Sequence, residues 1–276
     1  MLATLVIFLR EGVEASMIVA ILLAYLSRSG QRQYFRDVFI GVAAALVLAG
    51  VGGLIAYFTI RTYAGSRVQT IFETGTYLLA AVILTYMTFW MRSHARGLKS
   101  DLQSRADSAM TRGARTGLAL LAFQAVGREG LETVVFTLAI AFSTRHSGNL
   151  LIGALVGLAI ALAIAFVMYR LGHRINIGRF FMVVGTLLMV FAAGLLVDAV
   201  QNMQELGWLP VATHPLWHTG SLLNEDSALG DVAHSFFGYA QSPTVLQAVV
   251  YVLYLACVLF VFFGIRQKLR RSAAGP

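Results

Sequence analysis

Long apolar runs, separated by shorter polar and basic segments, dominate the chain. Each of seven runs is about as long as the roughly 20 helical residues that cross a ~30 Å hydrocarbon layer. They cover residues 2–27, 37–60, 68–91, 117–142, 149–170, 179–200 and 246–265. The pattern predicts one all-α, polytopic membrane domain, residues 1–276, with seven transmembrane helices. The first run lacks a basic leader and a small-residue cleavage site, so we expect it to be retained as the first span.

Composition points to the same class of protein. Hydrophobic residues make up 58% of the 276 residues and charged residues only 12%, and the mean hydropathy is +0.75. Such a chain is too apolar for a water-facing surface. The single cysteine, Cys257, lies in the last apolar run, which excludes a disulfide within this sequence.

Basic residues are distributed unequally between the two sides of the predicted membrane. With the amino terminus outside and the carboxyl terminus cytoplasmic, sixteen of the 21 Lys and Arg residues fall in cytoplasmic segments and three in outer segments. This distribution follows the positive-inside rule and predicts that orientation in a plasma (bacterial inner) membrane. The net charge of +8 then reflects orientation and attraction to anionic membrane lipid, so no nucleic-acid partner is expected. Residues 92–116 become a cytoplasmic loop with a surface helix, and residues 201–245 a periplasmic loop.

Two charged motifs interrupt otherwise apolar helices. "REGVE" occupies residues 10–14 in the first run, and "REGLE" occupies residues 128–132 in the fourth. Charges in hydrocarbon are costly, so these side chains must face the bundle interior, a partner or water. In each motif the arginine and the second glutamate are four residues apart, which is salt-bridge spacing on one helix face. The glycine between the glutamates, Gly12 or Gly130, leaves space for close approach by another helix or an ion.

The motifs belong to a longer internal repeat. The sequence that follows Ile40 resembles the sequence that follows Ile152, and a Gly-Thr pair recurs in the third run of each half. Each half contains three runs, so the second half would enter the membrane from the opposite side. We therefore predict two inverted three-helix repeats, residues 1–91 and 117–200, followed by a seventh helix at residues 246–265. Such folds place the substrate site near the bilayer midplane, which is about the depth of both motifs.

Together, the two motifs would place four carboxylates and two guanidinium groups around one cavity. Glu73, early in the third run, is a fifth buried acid, and the resulting formal charge of −3 favours a cation. The predicted metal ligands are Glu11, Glu14, Glu129, Glu132 and Glu73, supported by Arg10, Arg128, Gly12 and Gly130. A structural alternative is that the Arg–Glu pairs hold helices together and that Glu73 forms a hydrogen bond to a neighbouring helix.

Carboxylate ligands suit hard or borderline cations, although the spacing does not decide which one. The sequence has no cysteine pair and no His-Glu-x-x-His or Gly-x-Ser-x-Gly motif that would support an enzyme. It also lacks a phosphate-binding loop, so an ATP-driven pump would need another subunit. These features favour a cation transporter without a permanently bound cofactor over an enzyme.

The doubled Arg-Glu-Gly-x-Glu motif strongly resembles that of the oxidase-dependent iron permease family. The likeness to bacterial members covers nearly the whole chain and includes "FE" opening the third span, "ILTYMTFWMR" closing it, "FAAGL" in the sixth and "FFGYAQSP" before the seventh. The resemblance implies iron uptake across the plasma membrane, with the four motif glutamates as iron ligands. It also implies a periplasmic cupredoxin-like protein and a haem peroxidase as partners.

Two alternatives accompany this resemblance. Members of the family have been linked to lead uptake, so one alternative is a permease for another divalent metal, with proton exchange. The other is a membrane anchor for the periplasmic partners that transports nothing itself.

The predicted periplasmic loop, residues 201–245, contains several acids and histidines, among them Glu225 and Asp226. His214 and His218 have a spacing that could bind metal if the segment is helical. The favoured interpretation is a polar cap over the bundle.

Overall fold

The computed structural model describes residues 1–94, 97–111, 113–144, 148–171, 177–219, 224 and 227–273. Within these residues the fold is all-helical and contains no β-strand. In chain order the helices are α1 (Leu2–Arg28), α2 (Phe35–Arg61), α3 (Arg67–His94), α4 (Leu98–Thr111), α5 (Ala114–Ser143), α6 (Gly148–Leu171), α7 (Ile177–Glu205), α8 (Ala228–Phe237) and α9 (Val245–Ala273). A short 3-10 helix, Arg32–Tyr34, precedes α2.

Proline and glycine positions explain where the helices end. The prolines of the described residues, Pro210, Pro215 and Pro243, lie between α7 and α9 and outside every helix, because a proline inside a helix removes a backbone hydrogen bond. Gly30 and Gly65 follow α1 and α2 with φ values of 71° and 75°. This left-handed conformation suits glycine, and at Gly30, two residues after the end of α1, it prevents the helix from continuing.

Five of the described helices are long and apolar enough to cross a membrane: α2, α3, α6, α7 and α9. Their outer faces carry large exposed apolar side chains, such as Leu46, Val47 and Leu48 on α2. Lipid tails cover such a surface without the cost that it would have in water. The chain is therefore a multi-pass membrane protein. The other two long helices, α1 and α5, contain the charged motifs, and a total of seven spans stays a prediction.

The long helices pack in three pairs around a central contact. α1 lies along α6, α2 along α5 and α3 along α7, while α1 and α5 contact each other. The largest core cluster joins α1, α3, α5, α7 and α8 and includes the fully buried Phe136, Phe191 and Phe236. A second cluster, around Leu22 and Leu118, joins the other ends of α1 and α5 to α4. Along both α1 and α5, the charged motif lies between these two clusters.

Helix α4 forms within the segment in which the sequence predicts a surface helix. Its buried residues Leu102 and Ala106 pack in the second cluster, against α1, α2 and α5. Asp107 accepts a hydrogen bond from the hydroxyl of Tyr25 at the end of α1. These contacts fix α4 across one end of the bundle.

The segment between α7 and α9 covers the opposite end. It contains α8 and one isolated antiparallel bridge between Pro215 and Thr244. His214 and His218 lie outside any helix, so the helical metal-binding pair that their spacing allows does not form. The His218 ring instead forms a hydrogen bond with Ser242 Oγ at 2.7 Å. Glu225 and Asp226, two acids of the predicted periplasmic loop, lie outside the described residues.

Candidate metal site

The first motif places one arginine between two glutamates inside α1. Arg10, Glu11 and Glu14 are all buried, with Arg10 only 2% exposed. Arg10 Nη1 lies 3.0 Å from Glu11 Oε1, and Arg10 Nε lies 3.0 Å from Glu14 Oε1. The guanidinium group therefore partly neutralises both carboxylates and fixes their orientation.

The second motif, in α5, has the corresponding ion pair but different surroundings. Arg128 Nε lies 3.0 Å from Glu132 Oε1, and the Arg128 side chain is 42% exposed. Its Nη2 group donates to Met87 Sδ at 2.6 Å, and its guanidinium carbon lies 4.8 Å from the centre of the Trp90 ring. The two arginines thus occupy equivalent motif positions, but only Arg10 contacts two carboxylates.

The two motifs converge at the contact between α1 and α5. Glu11, Glu14 and Glu129 each offer a carboxylate oxygen, and these oxygens all lie within 4.8 Å of one another. All three residues are buried. Three carboxylates close to one buried guanidinium group give this group of side chains a net formal charge of −2. Like charges this close in a medium of low dielectric constant repel strongly, so a cation between them would stabilise the arrangement.

The hydrogen-bonding pattern also leaves oxygen atoms for a ligand. Each motif glutamate has one buried carboxylate oxygen that makes no hydrogen bond with the described part of the chain: Glu11 Oε2, Glu14 Oε1, Glu129 Oε2 and Glu132 Oε2. Glu14 Oε1 is within ion-pair distance of Arg10 but outside hydrogen-bonding geometry. Buried polar atoms are nearly always paired, and oxygen donors of this kind suit hard or borderline cations.

The motif glycines serve close helix packing. A Cβ atom on Gly12 would lie 2.8 Å from the Cβ of Ala161 in α6, and one on Gly130 would lie 2.9 Å from the Cβ of Ala49 in α2. Both distances are shorter than real side chains tolerate. Each motif helix therefore needs glycine here to approach its partner helix.

Two of the predicted ligands lie outside the group of three. Glu132 is paired with Arg128 on α5. Glu73 is half-buried on α3 and accepts a hydrogen bond from Gln69 Nε2 at 2.7 Å. The structure thus brings together Glu11, Glu14 and Glu129, and it leaves the roles of Glu132 and Glu73 as predictions.

A cavity of about 180 Å³ adjoins the carboxylates and extends toward α4. Its lining includes the buried Glu14 and Glu129, together with Arg128, Trp90 and Gln124. Trp90, Gln124 and Met87 are not among the site residues predicted from the sequence. The signal for Met87 and Trp90 in the sequence is their place in the stretch "ILTYMTFWMR", because their contacts with Arg128 join α3 to α5, and Met87 lies 41 residues before Arg128 in the chain.

Comparison with known proteins identifies the family of the chain. The family model described as "Iron permease FTR1 family" matches residues 1–271 of this chain. The ferrous iron permease EfeU of Escherichia coli O157:H7 is 35% identical over 264 residues, which cover 95% of each chain. The protein of the same name from Yersinia pestis is 34% identical over 265 residues, covering 95% of this chain and 93% of its own. No solved structure matches the chain. On this evidence the chain belongs to the FTR1 family of iron permeases.

Proposed function

We propose that this chain imports iron across the bacterial inner membrane through a site built from the glutamates of both motifs. The observation that carries the proposal is the convergence of three buried carboxylates from α1 and α5 within 4.8 Å, in a chain of the iron permease family. The similar proteins are named ferrous iron permeases, so we take Fe²⁺ as the cargo. Glu132 and Glu73 complete the proposed set of ligands.

The proposed architecture is seven spans, arranged as two inverted three-helix repeats and a seventh helix. Equivalent helices would then make equivalent contacts, and α1 with α6 corresponds to α5 with α2. The close approaches support this: Gly12 contacts Ala161, and Gly130 contacts Ala49. The glycines are 118 residues apart and the alanines 112 apart, as expected for repeats whose loops differ in length. Charges in α1 and α5 would be tolerated because they face this shared interior.

With the amino terminus outside, α4 lies on the cytoplasmic side and α8 on the periplasmic side. An inside-negative membrane potential then favours inward movement of a cation by about 2.3 kcal/mol per charge per 100 mV. Arg10 would limit repulsion between Glu11 and Glu14 while the site is empty of cargo. Glu73 would lie outward of the motifs, where it can capture the cation before the site binds it.

The proposed partners are a periplasmic cupredoxin-like protein and a haem peroxidase, on the α8 side. They would set the oxidation state of iron before transport. Their participation is separable from transport itself, because the proposal assigns the ion path to this chain alone.

Proteoliposomes that contain only this chain test the function. We expect Fe²⁺ uptake that increases with an inside-negative potential and exceeds the leak into empty liposomes. Absence of uptake would favour the alternative of a membrane anchor that transports nothing. Faster uptake of Pb²⁺ than of Fe²⁺, or uptake that depends on a proton gradient, would favour the alternative of a permease for another divalent metal.

A further inference from the structure

The cavity beside the motif carboxylates connects them to the α4 end of the molecule. Its inner wall contains Glu14 and Glu129, which are 2% and 5% exposed. Its outer wall contains Asp101 and Arg105 of α4, whose side chains are 55% and 64% exposed. The cavity therefore extends from two buried carboxylates to a solvent-exposed ion pair.

The volume of the cavity suits a hydrated cation, and its three lining acids exceed its two arginines, Arg105 and Arg128, by one charge. About 180 Å³ is enough for several water molecules, since a water molecule occupies roughly 30 Å³ in the liquid. Gln124 adds an uncharged polar side chain to the lining. Glu129 Oε2 is buried without a hydrogen-bond partner in the described part of the chain, whereas Glu14 Oε1 lies 3.0 Å from Arg10 Nε, so Glu129 is the lining acid with an oxygen available to a cation.

Resting on the proposed transport function, we propose that this cavity is the path by which the cation leaves the glutamate site, and that Asp101 is the carboxylate that receives it. Asp101 is the only acid of α4 among the described residues that line the cavity. The other acid of α4, Asp107, instead accepts a hydrogen bond from the hydroxyl of Tyr25.

The ion pair between Arg105 and Asp101 accounts for reversible binding of the cation by Asp101. Arg105 Nε lies 3.0 Å from Asp101 Oδ2, one helical turn away. This exposed pair is weak, because water screens both charges and the long side chain loses entropy when it is held. An arriving divalent cation displaces the guanidinium group from Asp101, and the returning guanidinium group displaces the cation into solvent. Asp101 thus binds the cation only briefly.

The test compares Asp101→Asn with wild type in the full-length chain. We expect the initial rate of Fe²⁺ uptake into proteoliposomes to fall at least about threefold, while equilibrium Fe²⁺ binding to the purified protein stays within about twofold, since the glutamate site is intact. Asp101→Glu should restore most of the rate. Asp37→Asn is the matched control, because Asp37 lies in the first turn of α2, at the same end of the bundle, and is not among the described cavity residues. It should leave both quantities unchanged.

Chemical blocking of the cavity gives a second test that does not depend on Asp101. In a Cys257→Ala background, Gln124→Cys places a thiol in the cavity, and Leu120→Cys places one a turn away on α5, at an exposed position outside it. A charged thiol reagent should stop uptake by the first variant and leave the second active.

The outcomes separate this inference from the function on which it rests. Absence of uptake by wild type would overturn both. Normal wild-type uptake with an undiminished rate in Asp101→Asn, or with no block after modification of Gln124→Cys, would overturn the exit path alone. Loss of Fe²⁺ binding together with uptake in Asp101→Asn would also overturn it, because Asp101 would then support the structure of the glutamate site.

Discussion

Arg10 and Arg128 occupy the same position in the two motifs but have different surroundings. Arg10 is buried and lies between two carboxylates, whereas Arg128 contacts one carboxylate and the face of Trp90. Only a planar guanidinium group can bind two carboxylates at fixed angles, and an ammonium group cannot reproduce that geometry. The two arginines should therefore differ in their tolerance of substitution.

Arg10→Lys should lower Fe²⁺ affinity by about tenfold or more, since loss of one charged hydrogen bond costs about 1.5–3 kcal/mol. Arg128→Lys is the matched control and should have a smaller effect. The measurement is Fe²⁺ uptake by proteoliposomes as a function of iron concentration. Equal losses in both variants would show that the buried geometry around Arg10 is not what matters.

Glu73 is the predicted ligand that the proposed repeat does not require, because the repeat would pair it with Val183 in the second half. Glu73→Gln keeps a group of similar shape that can still bond to Gln69, but removes one negative charge. If Glu73 captures the cation, uptake at limiting iron should fall more than the amount of protein does. Unchanged uptake at limiting iron would show that Glu73 has only a structural role, through its hydrogen bond with Gln69 on α3.

Sequence spacing is informative at the residue scale only within one helix. The separation of four residues predicts the pairs Arg10–Glu14 and Arg128–Glu132, and both form at 3.0 Å. The second contact of Arg10 and the different exposure of Arg128 depend on which helices lie beside them. No local pattern contains that information.

At the scale of helices, glycines set the two closest approaches between motif helices and their partners. A Cβ atom on Gly41 in α2 would collide with the backbone carbonyl oxygen of Ala119 in α5. A Cβ atom on Gly153 in α6 would collide with the carbonyl oxygen of Met1 at the start of α1. Backbone atoms cannot move aside as a flexible side chain can, so these positions require glycine.

Gly41→Ala should therefore destabilise the protein by about 1–3 kcal/mol, the typical cost of overpacking. Gly50→Ala in the same helix is the control: nothing lies within 4 Å of its added Cβ atom, and alanine favours a helix by about 1 kcal/mol relative to glycine. Thermal unfolding of the purified protein in detergent should show a lower midpoint for Gly41→Ala and an equal or higher one for Gly50→Ala. The opposite order would contradict the packing of α2 on α5.

Helix positions could be predicted from the sequence, because hydropathy and the exclusion of proline act locally. The seven apolar runs differ from the long helices by only a few residues at most ends, and α4 forms where a surface helix is predicted. The arrangement of the helices around the site could not be predicted in the same way. The cavity between Glu14, Gln124 and Asp101 joins α1 to α4 and α5, which follow it in the chain only after two other long helices, and packing alone brings them together.

At the scale of the whole molecule, orientation decides which end of the path receives iron. A cysteine at the exposed position Ser104 of α4, in a Cys257→Ala background, should resist a membrane-impermeant thiol reagent added to the periplasmic side. The same residue should react after the membrane is permeabilised, because the distribution of basic residues predicts that α4 is cytoplasmic. Labelling of intact cells from the periplasmic side would contradict the proposed orientation.

The central claim is that α1 and α5 share one metal site. Equilibrium Fe²⁺ binding to the purified protein tests it directly, in wild type and in Glu11→Gln and Glu129→Gln. A shared site predicts one high-affinity Fe²⁺ per chain, and each variant alone should weaken that same site by about tenfold or more, since each removes a charge in a low-dielectric region. Two bound ions in wild type, with one retained at full affinity in either variant, would instead show that each motif binds metal independently.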